Sequence, residues 1–156
     1  MIKGYVVSIA FGLIVTIAAP SAATVYNYKA DLDGTQAGIT TPATGTATVT
    51  IDTDANTLSY SITYADLVGT ETVAHIHGMA APGFSASPIH TLPAGEPKVS
   101  VWNYDEGQEA DILAGLTYIN IHTTFAGDGE IRGQIVEEGV AVEPMTWSRI
   151  KRVLAD

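Results

Sequence analysis

The chain has 156 residues, 46% apolar and 15% charged, with no cysteine and a formal net charge of −10. That is enough for one domain with a sizeable core, and too apolar for a disordered chain. The acidic balance argues against nucleic acid and anionic membrane surfaces, which select basic patches, and the missing thiol excludes a thiolate zinc site, a blue-copper site and a cysteine nucleophile.

Lys3, the apolar run from Tyr5 to Ala19, and Pro20 before Ser21-Ala22-Ala23 have the layout of a secretory signal with a small-residue cleavage site. The run falls short of the ~20 residues that a spanning helix needs. Residues 1–23 are therefore read as a signal peptide and residues 24–137 as the folded domain. Residues 138–156 are read as a linker and tail. The expected location is secreted or periplasmic, with no membrane attachment after cleavage.

From Thr24 onward, short alternating segments lie between turn signals. Val25 to Asp31 reads as a first strand, and Gly34 to Gly45 as a loop rich in Gly, Pro and Thr. Thr44 to Asp52 is an alternating strand, Asp52 to Asn56 a hairpin turn, and Leu58 to Tyr64 the returning strand. There Leu58, Tyr60, Ile62 and Tyr64 share one face. Thr72 to His77 is the next strand. Gly78 to Pro88 is a long loop with an exposed-looking Phe84, and His90 stands at its far end. Loops of this length in compact domains are often functional. Lys98 to Tyr104 is a strand containing Trp102, and Glu106 to Leu113 a helical turn or two. Leu116 to Thr123 and Glu130 to Val136 are the last strands, joined by the tight-turn signal Gly127-Asp128-Gly129. Beyond Val136 the alternation stops. Thr146 to Leu154 places Trp147, Ile150, Val153 and Leu154 at helical spacing, which predicts a short amphipathic C-terminal helix. The pattern as a whole predicts an all-β, antiparallel sandwich or barrel with Greek-key-like connections.

The chemistry centres on the four histidines, His75, His77, His90 and His122. In Ala74-His75-Ile76-His77-Gly78, alternation puts both imidazoles on one face of a strand. In Tyr118-Ile119-Asn120-Ile121-His122-Thr123, it puts Tyr118, Asn120 and His122 opposite the two isoleucines. If these strands are neighbours, His122 comes within ~5–6 Å of the pair across the ladder. Neutral imidazole is the commonest protein metal ligand, and an all-nitrogen set suits copper or zinc. The metal candidates are His75, His77 and His122 on the outer face of the sandwich, with His90 an optional fourth ligand from the loop. The competing reading is a polar patch of hydrogen-bonded histidines. Alternation also turns Arg132 to the side of His122, where it would attract small anions unless a carboxylate such as Glu130 takes it. Asp128 and Glu130 are candidates to orient an imidazole. There is no Gly-x-Ser-x-Gly elbow and no phosphate-cradling Gly loop.

Four segments resemble the CHRD (chordin-type) domain family: Pro42 to Ala47, Ala74 to Gly78, Ala114 to Thr123, and Gly129 to Gln134. The likeness spans roughly Tyr26 to Val136 and implies an extracellular β-rich module. A fainter resemblance is to copper,zinc superoxide dismutases, on the order His75, His77, His90, His122 and Arg132. It implies a copper-like mononuclear site with Arg132 guiding anions. The chain departs from that family: the loop from His90 to Lys98 offers only Glu96 as an obvious ligand, so no zinc subsite is expected, and the two cysteines of the family's disulfide are absent.

These readings lead to an exported protein that binds a single metal ion, copper preferred and zinc possible. The rival is a metal-free extracellular structural or protein-interaction module. The third reading is a dismutase-like redox enzyme, with small anions as its partners. The signal reading predicts a mature chain that starts at or near Thr24. Intact-mass measurement of exported protein checks this, and a mature form that keeps Met1 to Ala23 would refute it.

Overall fold

Inward-facing residues at every second position make a strand bury one side only, and the described residues follow that rule with few exceptions. The computed structural model describes residues 24–139, so the expected signal peptide and C-terminal helix lie outside it. The described residues form nine strands: β1 (Val25–Asp33), β2 (Thr44–Asp52), β3 (Thr57–Ala65), β4 (Glu71–Gly78), β5 (Pro88–Thr91), β6 (Lys98–Asn103), β7 (Thr117–Thr123), β8 (Ile131–Gln134) and β9 (Val136–Glu137). They also form two short helices, α1 (Gly34–Ala37) and α2 (Glu109–Leu113), the second entered through a 3-10 turn at Glu106–Gln108.

The strands follow one another in the order β5-β4-β7-β8-β1-β2-β3-β6, with β9 also on β1. Every pairing is antiparallel. β1, β2 and β3 form a meander. The chain then crosses to the β4–β5 pair, returns to lay β6 beside β3, and crosses again to lay β7 beside β4. The two crossings are the expected Greek-key-like connections, and the curled sheet makes a nearly closed barrel. Its interior is filled by Tyr28, Ala30 and Leu32 of β1, Val49 and Ile51 of β2, Leu58, Tyr60 and Ile62 of β3, and a cluster of Ile76, Ile119, Ile121 and Ile131. Those four isoleucines are fully buried. Each contributes about 1.5–3 kcal/mol by leaving water.

Three elements differ from the sequence reading. The loop after β1 contains α1, a single turn capped by the Asp33 side chain on the Gln36 amide and ended by Gly38 at φ 75°. Four residues are too few to show helical periodicity. Pro88–Thr91 is a strand, paired with β4 through His75↔Thr91 and Ile76↔His90. The final strand is broken at Ile135, whose N–H donates to the Thr117 carbonyl before β9 continues along β1.

Two buried charges lock the barrel ends. The carboxylate of Glu130 is fully buried. It accepts from the Thr41 hydroxyl (2.7 Å), the amides of Val68 (2.7 Å) and Gly69 (3.1 Å), and the Thr123 hydroxyl (2.8 Å). Burial pushes its pKa up, but these donors together outweigh burial and leave it below the ordinary carboxylate value. Lys98 is also fully buried, and its ammonium donates to Glu71 of β4 (2.5 Å) and to the carbonyls of Pro93 and Gly95 (2.9 Å each). Tyr64 of β3 donates to the other oxygen of Glu71. Every proton of the buried ammonium therefore has an acceptor, and strands from both sides of the barrel share one ion pair.

Glu130→Ala should cost about 3 kcal/mol, since it removes a fully buried carboxylate and leaves two amides and two hydroxyls without that acceptor. Because the folded pKa of Glu130 lies below its unfolded value, its stabilisation is complete above the ordinary carboxylate range. It is lost as pH falls through the lowered value. Urea unfolding across pH 3–7 (roughly the carboxylate range and above) should show a shallower acid limb in Glu130→Gln than in the wild type.

Candidate metal centre

The outer face of β4, β7 and β8 carries polar side chains in register. One row across the strands is His77, Tyr118 and Gln134, and the next is His75, Asn120 and Arg132. His122 lies opposite Val73. The ring centroid of His122 is 5.2 Å from His75 and 5.5 Å from His77, and the His75 and His77 rings are 5.5 Å apart. One ring nitrogen from each of the three lies within 4.8 Å of the others. The two strands are thus neighbours, as the pairing argument required, and the three histidines converge.

The face is not open to solvent, as the expectation of an outer site had it. The segment between β4 and β5 folds back over it and is held by the polar residues beneath. Gln134 Nε2 donates to the Ala80 carbonyl (3.0 Å), and Arg132 Nη2 to the Phe84 carbonyl (2.8 Å). The Ala86 amide donates to the Tyr118 hydroxyl (3.0 Å), which donates in turn to the Ala86 carbonyl (3.3 Å). His77 is accordingly only 6% exposed, while His75 and His122 are half-buried. Phe84 itself points outward, as its sequence context suggested.

The tautomers of two rings follow from their partners. His77 Nδ1 lies 2.9 Å from the Ala86 carbonyl, and His122 Nδ1 lies 2.9 Å from the Gly127 carbonyl. A carbonyl only accepts, so each Nδ1 carries the proton and each neutral ring presents a bare Nε2 lone pair. Those two Nε2 atoms face each other at 3.4 Å. Two acceptors at that distance repel unless a proton or a cation lies between them. The Nδ1 of His75 is buried and has no hydrogen-bond partner among the described residues. Burial lowers the pKa of His75, and the nearby His122 adds to it. Burial also dominates the lowering at His77, against a raising contribution from the Ala86 carbonyl, with His122, His75 and Arg132 lowering it further.

His90 does not join the group. It pairs with Ile76 and shares that residue's inward side, stacks on Trp102 of β6 at 5.2 Å, and meets the Tyr60 hydroxyl through Nε2 at 3.2 Å. Strand geometry explains the correction: once Pro88–Thr91 pairs with β4, His90 lies on the opposite face from His75 and His77. Glu130 does not orient an imidazole either, since its oxygens are used at the barrel end. The imidazoles of His77 and His122 are oriented by the main-chain carbonyls of Ala86 and Gly127, which no residue-type signal in the sequence marks. Asp128 lies at the cleft wall, and its carbonyl accepts from Asn120 Nδ2 (3.0 Å).

Arg132 stands where alternation placed it, beside Asn120 and 7% exposed. Its guanidinium packs 3.4 Å from the centre of the Tyr118 ring. Among the described residues no carboxylate lies within 4.0 Å of it. It lines a cleft of about 650 Å³ together with His77, His122, Tyr118, Asn120 and Asp128. Gln36 of α1 and Ser85 complete the rim.

The model of the CHRD domain family matches residues 28–135, which spans β1 to the end of β8 and the whole histidine face. Comparisons with curated proteins and with solved structures found no match. Among the described residues no helix is long and apolar enough to cross a membrane.

In metal-free protein, the ring resonances of His75, His77 and His90 should titrate below the ordinary 6.5. The unfolded chain then takes up these protons first as pH falls, so stability should decline as pH drops below 6.5 and be regained above it. An NMR pH titration of the ring protons, with unfolding measured over the same range, checks both.

Proposed function

From the premise that the chain belongs to the CHRD domain family, we propose that this member is an exported protein that binds one metal ion, copper preferred, through His75, His77 and His122. The observation that carries the reading is the pair of bare Nε2 atoms opposed at 3.4 Å. Two nitrogens on one tetrahedral ion, each at about 2.0–2.1 Å, lie roughly 3.4 Å apart. His75 adds a third ring nitrogen within 4.8 Å of the others, and its buried Nδ1 has no hydrogen-bond partner among the described residues. An all-imidazole set suits copper or zinc, and carboxylate-preferring ions fit it poorly. Copper would bring one-electron chemistry to the site and zinc would bring Lewis acidity. Arg132 is a positive charge on the cleft wall with no carboxylate partner among the described residues, which favours small anions near the ion in an otherwise acidic protein.

The rival reading, a metal-free interaction module, draws on Phe84, Phe125 and Val68, which are 69%, 51% and 55% exposed. Dismutase-type turnover is the finer form of the copper reading, and a superoxide assay on copper-loaded protein tests it separately.

Copper titration of untagged protein, followed by electron paramagnetic resonance, should show one equivalent bound. His77→Ala should weaken binding at least ~10-fold, since losing even an orienting partner costs that much. His90→Ala should leave affinity unchanged. Arg132→Ala should keep the copper but blunt the spectral response to azide. Binding requires neutral rings, so affinity should fall as pH drops below 6.5, the ordinary value from which His75 and His77 are lowered. No stoichiometric site in the wild type, or wild-type affinity in His77→Ala, would overturn the metal reading in favour of the interaction module.

A further inference from the structure

The polar face of β7 reads Tyr118, Asn120, His122, and only the last of these belongs to the histidine cluster. Tyr118 grips residue Ala86 at both ends of its backbone, amide to hydroxyl at 3.0 Å and hydroxyl to carbonyl at 3.3 Å. The same Ala86 carbonyl accepts from His77 Nδ1. The Tyr118 ring also stacks on His77, with centroids 4.9 Å apart and planes 13° from parallel. Asn120 treats the other ring's partner similarly. Its Nδ2 donates to the Asp128 carbonyl at 3.0 Å, one residue beyond the Gly127 carbonyl that accepts from His122 Nδ1. Its amide packs against Gly129, where φ is 120° and a Cβ would overlap it. Only glycine fits there, for both reasons.

We propose that Tyr118 and Asn120 are positioning residues of the cluster. Tyr118 fixes the loop carbonyl that holds His77, and Asn120 fixes the turn carbonyl that holds His122. Each thereby sets one ring in the Nδ1–H tautomer with Nε2 aimed at the common centre. In calling that centre a metal site the inference rests on the proposed function, but the tautomers themselves do not need a metal. Neither residue touches the ion in this scheme. The pair acts by placing main-chain oxygens, and it acts separately on the two rings.

The separation makes the test selective. Nitrogen-15 NMR of the imidazoles is recorded on metal-free protein above pH 7.5 (roughly a unit above the ordinary histidine value, so the rings are neutral). In wild type both His77 and His122 should show Nδ1 as the protonated nitrogen. Tyr118→Phe keeps the ring stack and removes only the hydroxyl. It should shift His77 toward a mixture of tautomers and leave His122 unchanged. Asn120→Ala should do the reverse. The thermal transition of each metal-free variant confirms that it folds, and a Gln36→Ala variant at the cleft rim should disturb neither ring. Copper affinity measured on the same proteins should fall about 10-fold in each positioning variant, the lower end of losses at metal-orienting partners. Wild-type rings protonated at Nε2, or unchanged tautomers in both folded variants, would overturn the proposal whether or not copper binds. Selective tautomer shifts without any copper binding would uphold the positioning roles and overturn only the metal reading.

Discussion

The rest of the structure depends on a strand that is covered on both faces. In β7 every residue but His122 is buried, although alternation gives it one apolar and one polar side. Ile119 and Ile121 enter the barrel against Ile76 and Ala74. The opposite side would ordinarily face water. Here it lies beneath the segment between β4 and β5, and each polar group it carries must find a partner within the protein. That requirement explains why so many side chains of β7 and β8 bond to backbone. Gln134, Arg132 and Tyr118 satisfy the carbonyls and amide of the covering segment, and Asn120 satisfies the turn below. The remainder is small: His77 and His122 each give one nitrogen to a carbonyl and oppose their Nε2 atoms, while His75 Nδ1 and Asn120 Oδ1 are buried without a hydrogen-bond partner among the described residues.

A cluster arranged in this way is held rigidly before any ligand arrives, which is what the proposed metal reading requires. The rings lie on paired strands, whose geometry is set by the ladder and by the isoleucine core behind it. The loop and the turn add orientation without adding ligands. This division suits a site that must keep its shape, since strands hold side chains more rigidly than loops do. The cleft beside it mixes a guanidinium, a carboxylate and an amide, so it is polar but not uniformly charged.

How much of this could be read from the residues depended on whether alternation or pairing decided the matter. Alternation alone put His75 with His77, Tyr118 with Asn120 and His122, and Arg132 on their side. It also ordered nearly every strand. His90 was harder, because its face is decided by the pairing of a four-residue strand inside a Gly- and Pro-rich stretch. The roles of Ala86 and Gly127 were invisible, since a main-chain carbonyl has no residue signature. Lys98 marked only the start of a strand, and Glu130 read as a partner for Arg132 or for an imidazole. Only the three-dimensional arrangement shows that a whole set of donors or acceptors closes around each of them. Three of the four segments of the CHRD resemblance build the face, in β4, β7 and β8, and the fourth enters β2, but the resemblance did not say what each does.

β1 is paired through Asp33 with Arg132 and through Lys29 with Val136, so the first strand of the barrel meets the last. Contacts this distant in sequence carry a large loop-closure cost and form late. A chain that emerges from its N-terminus can build the β1–β2–β3 meander early. It lacks both β7 and the strand that completes the sheet until nearly all of the domain is present. The three imidazoles, drawn from β4 and β7, meet on the same schedule. Under the proposed metal reading, the compartment that receives the finished chain is the one whose ions the cluster would first meet in its assembled form, so the order of strands would bear on which metal is acquired.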